Sequence, residues 1–274
     1  MKTVVAETID LDLDVTVHER IDSTNDWSLQ QCKAGRDLPF VCFAEEQISG
    51  KGRRGKYWVM TARSNIAMSL AWAFDLSHQS LSLLPLSIAL AIVKTLEALN
   101  LTGVQIKWPN DVYVHGKKIA GILIETQPIK KKSSSSGSLS AVVIGVGLNY
   151  DMSPLSSGVI DGGPESLPDI TDIKSEFHLK DVEKIIDRDV VASMLLRDVI
   201  SICKNFQQDS KQNLEKFRTC YDYCKNRAVD IILDNKEVVS GVVQGVNESA
   251  ELIVMIDGKT RTFNSAEVSV KADL

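Results

Sequence analysis

The sequence has few of the features that mark membrane-bound proteins or metal scaffolds. Its 274 residues include only 5 cysteines and 4 histidines, and 6% of them are aromatic. The longest apolar run, Leu83 to Val93, contains Pro85 and Ser87 and is about half the length needed to span a bilayer. The acidic N-terminal segment lacks the basic and apolar regions of a signal or transit peptide. We therefore expect a cytoplasmic protein without a membrane-bound part.

The charge balance and the cysteine pattern argue against two further classes. The chain has 31 Lys and Arg residues against 36 Asp and Glu residues, a formal net charge of −5, whereas wholesale wrapping of nucleic acid needs a dominant basic surface. Cys220 and Cys224 are spaced like half of a metal site, but no histidine lies near them in the sequence. Neither a disulfide framework nor a four-ligand zinc site is therefore expected.

Apolar periodicity predicts two domains. Helices are predicted at 23–34, 83–99, 188–207 and about 211–220. Strands are predicted at 39–44, 65–72, 104–108, 112–114, 118–126 and 141–148. Long loops are predicted at 130–138 and 151–170. From Ala228 onward the pattern changes to five short β runs with turns at Asp234-Asn235 and Asp257-Gly258, which indicates a small barrel. We expect a domain of residues 1–226 followed by a second of residues 227–274.

A basic segment, EEQISGKGRRGKYW, combines glycines with clustered cations. Gly50 and Gly52 flank Lys51, and Arg53 and Arg54 follow directly. Glycines let the backbone approach a ligand closely, and guanidinium groups bind carboxylate or phosphate in bidentate fashion. The pattern indicates anion binding, although a solvated basic loop and a nucleic-acid patch remain alternatives. The spacing of a Walker phosphate-binding loop is missing.

A second segment, KWPNDVYVHGKKIAGILIE, places an acid and a base on neighbouring strands. Asp111 ends one predicted strand and Lys118 opens the next, so the two side chains can face the same cleft. Gly121 lies in the middle of an apolar strand, which is typical of close approach by a ligand or another backbone. Further on, residues 145–149 (GVGLN) end an apolar strand but lack the third glycine of a dinucleotide-binding motif.

Together with the motif DSTN at residues 22–25, these segments resemble the biotin–protein ligase family, also called biotin acetyl-CoA-carboxylase ligase or holocarboxylase synthetase. The motifs DSTN, AEEQxxGKGRRGKxW, KWPNDVxxxxKKIAGILIE and GVGLN occur in that order over about 130 residues. The resemblance implies an α+β fold. It consists of a mixed sheet flanked by helices, as in a class II synthetase-like catalytic domain, with a C-terminal SH3-like small β barrel. Beyond residue 150 the resemblance depends on the pattern of elements alone.

The resemblance also implies the reaction. Members of this family make biotinyl-5′-AMP from biotin and ATP, with Mg²⁺, and pass biotin to one lysine of a biotin carboxyl carrier protein, releasing AMP and diphosphate. About twenty residues precede the DSTN motif, too few for the DNA-reading module of repressor members, so we expect a monofunctional ligase that does not bind DNA, either monomeric or homodimeric. A lipoate or octanoate ligase or transferase of the same superfamily is the alternative, and a nucleic-acid-binding module is a distant one.

Site residues follow from the resemblance position by position. The implied biotin-binding residues are Ser23, Thr24, Asn25, Gln47, Gly50, Lys51, Gly52, Arg53, Lys118 and Gly121. The implied ATP- or adenylate-binding residues are Arg53, Arg54, Trp58, Asn110 and Asn149. Short polar side chains suit the ureido group of biotin, which needs both a donor and acceptors. Lys51 stands where the family usually has Arg. No residue is assigned as a metal ligand.

The implied catalytic residues are Lys118, Asp111 and Arg53. Lys118 falls on the family's active-site lysine, where a point charge can hold the biotin carboxylate and the α-phosphate together. Asp111 has two candidate roles: accepting a proton from the attacking carrier lysine, or supporting Mg²⁺ and Lys118. We expect the loop from Gln47 to Trp58 to be mobile without ligand, because its cations would have no partner until the anions arrive.

Overall fold

The computed structural model describes residues 13–60, 62–74, 81–128, 140–153, 170–178, 186–234, 236–265 and 268–272. The predicted loop at 130–138 and most of the predicted loop at 151–170 lie outside this part of the chain, as does Asn235 of one predicted turn.

Four helices and twelve strands make up the described part. The helices are α1 (Thr24–Lys33), α2 (Leu84–Ala98), α3 (Ile173–His178) and α4 (Arg188–Lys216). The first seven strands are β1 (Asp14–His18), β2 (Phe40–Ala44), β3 (Asn65–Phe74), β4 (Val104–Lys107), β5 (Asp111–Val114), β6 (Lys117–Pro128) and β7 (Ser140–Asn149). The last five are β8 (Ala228–Leu233), β9 (Val238–Val246), β10 (Leu252–Ile256), β11 (Lys259–Phe263) and β12 (Val268–Ala272).

The first seven strands form one mixed sheet in the order β1-β2-β3-β7-β6-β5-β4. Strands β1 and β2 are parallel, and every other neighbouring pair is antiparallel. Helices α2 and α4 pack together on one face of this sheet, and α1 packs against β3, β6 and β7 on the other. The predicted α+β architecture of a mixed sheet flanked by helices is confirmed.

Local sequence explains where α1 and α2 begin. Ser23 is the N-cap of α1 and accepts a hydrogen bond from the backbone N–H of Asp26, which satisfies one of the free N–H groups of the first turn. Pro85 lies in the first turn of α2, where the missing N–H costs nothing. Helix α2 is buried almost all round because α4 covers the side that faces away from the sheet.

The prediction of a separate short helix at 211–220 is wrong. Helix α4 continues without a break to Lys216 and ends in a π-helical turn, Phe217–Tyr221. The polar stretch after Phe206 suggested an end, but it contains neither glycine nor proline. The buried stripe resumes at Leu214 and Phe217, so core packing holds the helix together across the polar stretch.

The last five strands form a separate antiparallel sheet in the order β11-β10-β9-β8-β12, which agrees with the predicted SH3-like barrel. Trp108, which is buried and lies between β4 and β5 in the sequence, donates a hydrogen bond from Nε1 to the backbone oxygen of Ala250 at 2.8 Å. Tyr113 stacks on Tyr223 just before this sheet, with ring centroids 5.0 Å apart. No helix in the described part of the chain is both long and apolar enough to cross a membrane.

Candidate functional site

Two chain segments that run side by side bring Thr24 and Gln47 together. Ile21 donates its backbone N–H to the oxygen of Glu46, and Ile48 donates to the oxygen of Ile21, so the segment after β2 is held beside the start of α1. Gln47 Oε1 accepts a hydrogen bond from the backbone N–H of Thr24 at 2.9 Å and lies 3.0 Å from Thr24 Oγ1. Gln47 Nε2 is 3.7 Å from the sulfur of Met60.

A chain of buried polar groups continues from Thr24 under helix α1. Ser69 Oγ, on β3, lies 2.7 Å from Thr24 Oγ1 and 2.6 Å from Asn25 Oδ1. Asn25 Nδ2 donates to Glu125 Oε2 at 2.9 Å and to the backbone oxygen of Leu123 at 3.3 Å. Both ends of the Asn25 amide are therefore engaged by the protein. The predicted biotin-binding residue Ser23 is buried and caps α1.

Small residues line part of the sheet face beneath α1. Gly121 of β6 pairs with Gly147 of β7, and Gly145 of β7 pairs with Ser69 of β3. A Cβ at Gly145 would lie 2.3 Å from Asn25 Oδ1, so only glycine leaves room for that amide. The close approach at Gly145 is made by a side chain, whereas the sequence predicted approach of a ligand or another backbone at Gly121 only.

Trp58 covers the other glycine pair. A Cβ at Gly147 would lie 2.3 Å from Trp58 Cε2, and one at Gly121 would lie 3.0 Å from Cζ3 of the same ring. The ring centroid is 5.5 Å from Lys118 Nζ, a distance at which the π face attracts a cation. Trp58 Nε1 is buried and has no hydrogen-bond partner among the described residues.

Lys118 and Asp111 form an ion pair beside this ring. Lys118 Nζ lies 2.8 Å from Asp111 Oδ1, which confirms that the two side chains share a cleft. A β-bulge causes this placement, because the register between β5 and β6 shifts from Val112 opposite Ala120 to Tyr113 opposite Lys118. A bulge re-aims the side chains that precede it. Lys118 therefore lies on the side of Gly121 rather than in the core.

The basic segment closes on itself as a tight hairpin. Trp58 donates its backbone N–H to the oxygen of Gly50 at 2.8 Å, and Gly52 donates to the oxygen of Lys56 at 2.7 Å. The turn contains Arg54 at φ 57° and Gly55 at φ 73°, and only glycine takes such a left-handed conformation freely.

Three cations of this hairpin, Lys51, Arg53 and Arg54, have partners in the protein, so the expectation that they lack partners without ligand is wrong. Lys51 Nζ lies 2.7 Å from Asp26 Oδ2 on α1, and this hydrogen-bonded contact raises the pKa of Lys51. Arg54 pairs with Asp234 of the C-terminal sheet. Sequence patterns could not foresee these contacts, since each joins segments far apart in the chain.

Arg53 reaches back toward the ion pair of Lys118 and Asp111. Its guanidinium donates to Asn110 Oδ1 at 3.2 Å and also to the backbone oxygen of Ser265, next to the C-terminal sheet. Burial lowers the pKa of Arg53, and the nearby charge of Asp111 opposes that shift. The structure therefore brings Arg53, Asp111 and Lys118 into one cluster.

The two asparagines predicted to contact the nucleotide are engaged within the protein. Asn110 Nδ2 donates to the backbone oxygen of Ile122 at 2.7 Å. Asn149 is buried, donates to the backbone oxygen of Thr171 at 3.0 Å and lies 3.4 Å from Asn65 Nδ2. Within the described residues, no three His, Cys, Asp or Glu side chains come close enough to hold a metal ion.

Sequence reasoning missed three residues at this site. Ser69 is a polar residue inside an apolar strand, and that contrast could have indicated a role. Glu125 ends the KKIAGILIE motif but carried no prediction. Asp234 was identified only as part of a turn, and nothing in the sequence connects it with Arg54.

Comparisons with known proteins agree with the motifs and the fold. The model of the biotin/lipoate A/B protein ligase family matches residues 17–149. The bifunctional ligase/repressor BirA of Escherichia coli is 28% identical over 261 residues, which cover 94% of this chain and 74% of BirA. The biotin--[acetyl-CoA-carboxylase] ligase of Mycobacterium tuberculosis is 29% identical over 252 residues, covering 90% and 85% of the two chains.

A solved structure is similar over nearly the whole chain. Biotin protein ligase from Aquifex aeolicus, in complex with biotin and ATP, has a TM-score of 0.71 and 21% sequence identity, covering 95% of this chain and 99% of that one. This likeness shows the shared fold. Taken with the family match and the curated relatives, it agrees with a biotin/lipoate A/B protein ligase family domain at residues 17–149.

Proposed function

We propose that this protein attaches biotin to a lysine of a carrier protein at the expense of ATP. In the first step the biotin carboxylate attacks the α-phosphorus of ATP, which forms biotinyl-5′-AMP and releases diphosphate. In the second step the amine of the carrier lysine attacks the acyl carbon, loses a proton and displaces AMP. The relative from Mycobacterium tuberculosis, which is named as a biotin--[acetyl-CoA-carboxylase] ligase, supports this assignment.

One observation carries the choice of biotin over other acids of the family. Thr24 and Gln47 place an oxygen acceptor and an amide donor side by side at the end of a buried polar network. A cyclic urea offers the complementary N–H donors and carbonyl acceptor. The dithiolane ring of lipoate and the alkyl chain of octanoate offer neither, and would leave these polar groups unpaired at a cost.

Lys118 supplies the charge for adenylation in this proposal. Its ammonium lies at the glycine pair of β6 and β7, where a carboxylate and a phosphate can approach the backbone closely. Two anions repel each other, and a fixed cation between them lowers the barrier to their reaction. Arg53 adds a second cation on the same side.

For Asp111 the geometry supports the role of positioning Lys118. The carboxylate is within hydrogen-bond distance of Lys118 Nζ at 2.8 Å, and Arg53 lies nearby. The carboxylate is therefore better placed to orient the lysine than to take a proton from the acceptor amine.

The remaining assignments describe the nucleotide side. We place the adenine against Trp58, whose ring offers a stacking surface. On this side Asn110 accepts a hydrogen bond from Arg53, and Asn149, at the end of β7, accepts one from Asn65. The described residues offer no cage of carboxylates for Mg²⁺, and Mg²⁺ commonly binds through phosphates and water with few protein ligands, so no protein residue is assigned to it.

The acceptor in this proposal is the carrier domain of a biotin-dependent carboxylase, and no DNA partner is proposed because the chain carries a net charge of −5. We further propose a catalytic domain of residues 1–226 and a barrel domain of residues 227–274, since the second sheet begins at Ala228.

The proposal is tested by incubating the protein with biotin, ATP, Mg²⁺ and a biotin carboxyl carrier domain. We expect the carrier to gain the mass of one biotinyl group at one lysine. A carrier whose acceptor lysine is replaced by Arg is the control, and lipoate or octanoate in place of biotin should give no product. Lipoyl transfer without biotinyl transfer would overturn the proposal.

A further inference from the structure

A partly buried lysine that the proposed mechanism does not use lies beside the ion pair of Lys118 and Asp111. We propose that this residue, Lys107, binds the diphosphate that leaves ATP during adenylation. The inference depends on the proposed function, because the ligand concerned is the part of ATP beyond the α-phosphate.

Strand pairing brings Lys107 next to the ion pair. Lys107 is the last residue of β4 and lies directly opposite Asp111 of β5 in the register. Side chains paired in this way share one face of the sheet, with their Cβ atoms about 4.5–5.5 Å apart. Asp111 Oδ1 in turn lies 2.8 Å from Lys118 Nζ. The preceding residue, Ile106, is fully buried in the core, so strand alternation puts Lys107 on the other face.

A pair of buried tyrosines supports the ammonium of Lys107. Its Nζ lies 3.4 Å from Tyr113 Oη and 5.3 Å from the centroid of the Tyr113 ring. That ring stacks on Tyr223, and both tyrosines are buried. Tyr113 also pairs with Lys118 in the register of β5 and β6. Lys107 and Lys118 are therefore both neighbours of one buried ring.

Lys107 differs from two other partly buried lysines in its ion pairing. Lys118 has Asp111 at 2.8 Å. Lys174 has Asp151 at 2.7 Å and, like Lys107, lies over a tyrosine ring. Within the part of the chain that the structure describes, no Asp or Glu lies within ion-pair distance of Lys107, whose hydrogen-bond partner is the Tyr113 hydroxyl. A partly buried cation of this kind is best satisfied by an anion from outside the chain.

The charges around Lys107 favour such an anion. Burial lowers the pKa of Lys107, and the neighbouring cations Lys118 and Lys56 lower it further. Asp111 acts in the opposite direction. Arg53 also lies near Asp111. Several cations thus surround one carboxylate, and an excess of positive charge in a cleft attracts anions. A diphosphate group, which carries most of the negative charge of ATP, complements it.

The chemistry of adenylation explains why a second lysine is useful here. When the biotin carboxylate attacks the α-phosphorus, the bond from that phosphorus to the bridging oxygen breaks, and its electron pair goes to the diphosphate. Negative charge therefore grows on the diphosphate in the transition state, where a preorganised cation lowers the barrier. In the proposed mechanism Lys118 holds the α-phosphate. The diphosphate is attached directly to that phosphate, as Lys107 is the direct neighbour of the ion pair of Lys118.

Lys107→Met tests the inference, because methionine keeps an unbranched apolar stem and removes the charge. We expect kcat/KM for ATP, measured by diphosphate release, to fall about ten- to hundredfold, the equivalent of one hydrogen bond to a charged group. In the reverse reaction, biotinyl-AMP and diphosphate give ATP and biotin, and KM for diphosphate should rise by a similar factor. Transfer from supplied biotinyl-AMP to the carrier should stay within about twofold, since diphosphate takes no part in that step.

Two further variants serve as controls. Lys174→Met removes a lysine that also lies over a tyrosine ring but is paired with Asp151, and it should leave KM for ATP and for diphosphate near the wild-type values. Lys107→Arg keeps the positive charge, and arginine also binds phosphate groups, so this variant should retain most of the affinity for diphosphate.

Lys107→Gln is a second charge-free variant should Lys107→Met fail to fold, and the same losses are expected for it. An unchanged KM for diphosphate in a folded charge-free variant would overturn the inference while leaving the proposed function intact. Equal loss of adenylation and of transfer from biotinyl-AMP would also overturn it, because Lys107 would then act in a step without diphosphate. Wild-type protein that releases no diphosphate with biotin and ATP would overturn both.

Discussion

The two faces of the seven-stranded sheet differ although the same strands build both. The face toward α2 and α4 carries large apolar side chains, among them Ile66, Met68 and Leu70 of β3 and Val142, Ile144 and Val146 of β7. The alternate positions of these strands, toward α1 and Trp58, include Ala67, Ser69, Gly145 and Gly147. Because side chains alternate along a strand, one face, here called the core face, supplies stability, and the other, the site face, leaves space.

The two faces therefore contribute differently to stability and to the reaction. Each large side chain on the core face contributes about 1.5–3 kcal/mol through burial. On the site face, buried polar groups such as Asn25 add little net stability and must be fully hydrogen-bonded to cost little. Substitutions on the core face should therefore change stability, and substitutions on the site face should change the reaction.

The largest effect is expected for Lys118→Ala. If its ammonium stabilises the developing charge of adenylation, formation of biotinyl-AMP should fall about 10²- to 10³-fold, the usual loss for one preorganised group. The adjacent Lys117→Ala is the matched control, because Lys117 is exposed. Diphosphate release under single-turnover conditions measures both variants. Near-normal adenylation in a folded Lys118→Ala protein would disprove the role.

Asp111→Asn separates the two half-reactions. Because the carboxylate holds Lys118 at 2.8 Å, we expect adenylation to fall roughly ten- to hundredfold, the equivalent of one hydrogen bond to a charged group. Transfer from supplied biotinyl-AMP should be largely spared. The reverse order would identify Asp111 as the base for the carrier lysine. Asn110→Ala is the control: equal loss of both steps in both variants would indicate collapse of the shared turn.

Gly147→Ala and Ile144→Val compare the two faces within one strand. The new methyl group at 147 would lie 2.3 Å from the Trp58 ring and must displace it, so adenylation should fall about tenfold while the melting temperature changes little. Ile144→Val removes one methylene from the core and should cost about 0.5–1.5 kcal/mol of stability with normal activity. Denaturant unfolding and diphosphate release, measured on both variants, test this contrast. Loss of stability in Gly147→Ala together with loss of activity in Ile144→Val would contradict the proposed difference between the two faces.

Much of the fold could be predicted from local patterns, because apolar runs, the Ser23 cap and the His115-Gly116 turn are encoded by neighbouring residues. The β-bulge that turns Lys118 toward Gly121 could not. Lys118 lies three residues before Gly121, and simple alternation would put the two on opposite faces. Only the bulge, which leaves Ile119 and Ala120 both in the core, brings Lys118 to the site face.

The partners of the basic hairpin were also beyond sequence reasoning, since they come from distant segments. Family resemblance indicated which residues form the site, but not that Lys51 would pair with Asp26 or Arg54 with Asp234. These contacts form only when α1 and the C-terminal sheet are assembled around the hairpin. Weakening the contact with the C-terminal sheet therefore tests how firmly the hairpin is held.

The smallest effect is expected for Asp234→Ala. This change removes the ion pair of Arg54 with the C-terminal sheet, and an exposed pair contributes roughly 0.2–1 kcal/mol. Amide hydrogen exchange at Gly52 and Trp58, whose N–H groups are bonded inside the hairpin, should therefore speed up by no more than about fivefold.

Asp257→Asn, in the turn between β10 and β11, is the matched control because it removes an exposed negative charge from the same sheet. It should leave exchange in the hairpin unchanged. High salt should accelerate exchange in the wild type and have less effect in Asp234→Ala, since screening weakens only a pair that exists. If Asp234→Ala and wild type exchange identically at low salt, the ion pair of Arg54 with Asp234 does not tether the hairpin, and the contact of Arg53 with the backbone oxygen of Ser265 remains to hold it beside the C-terminal sheet.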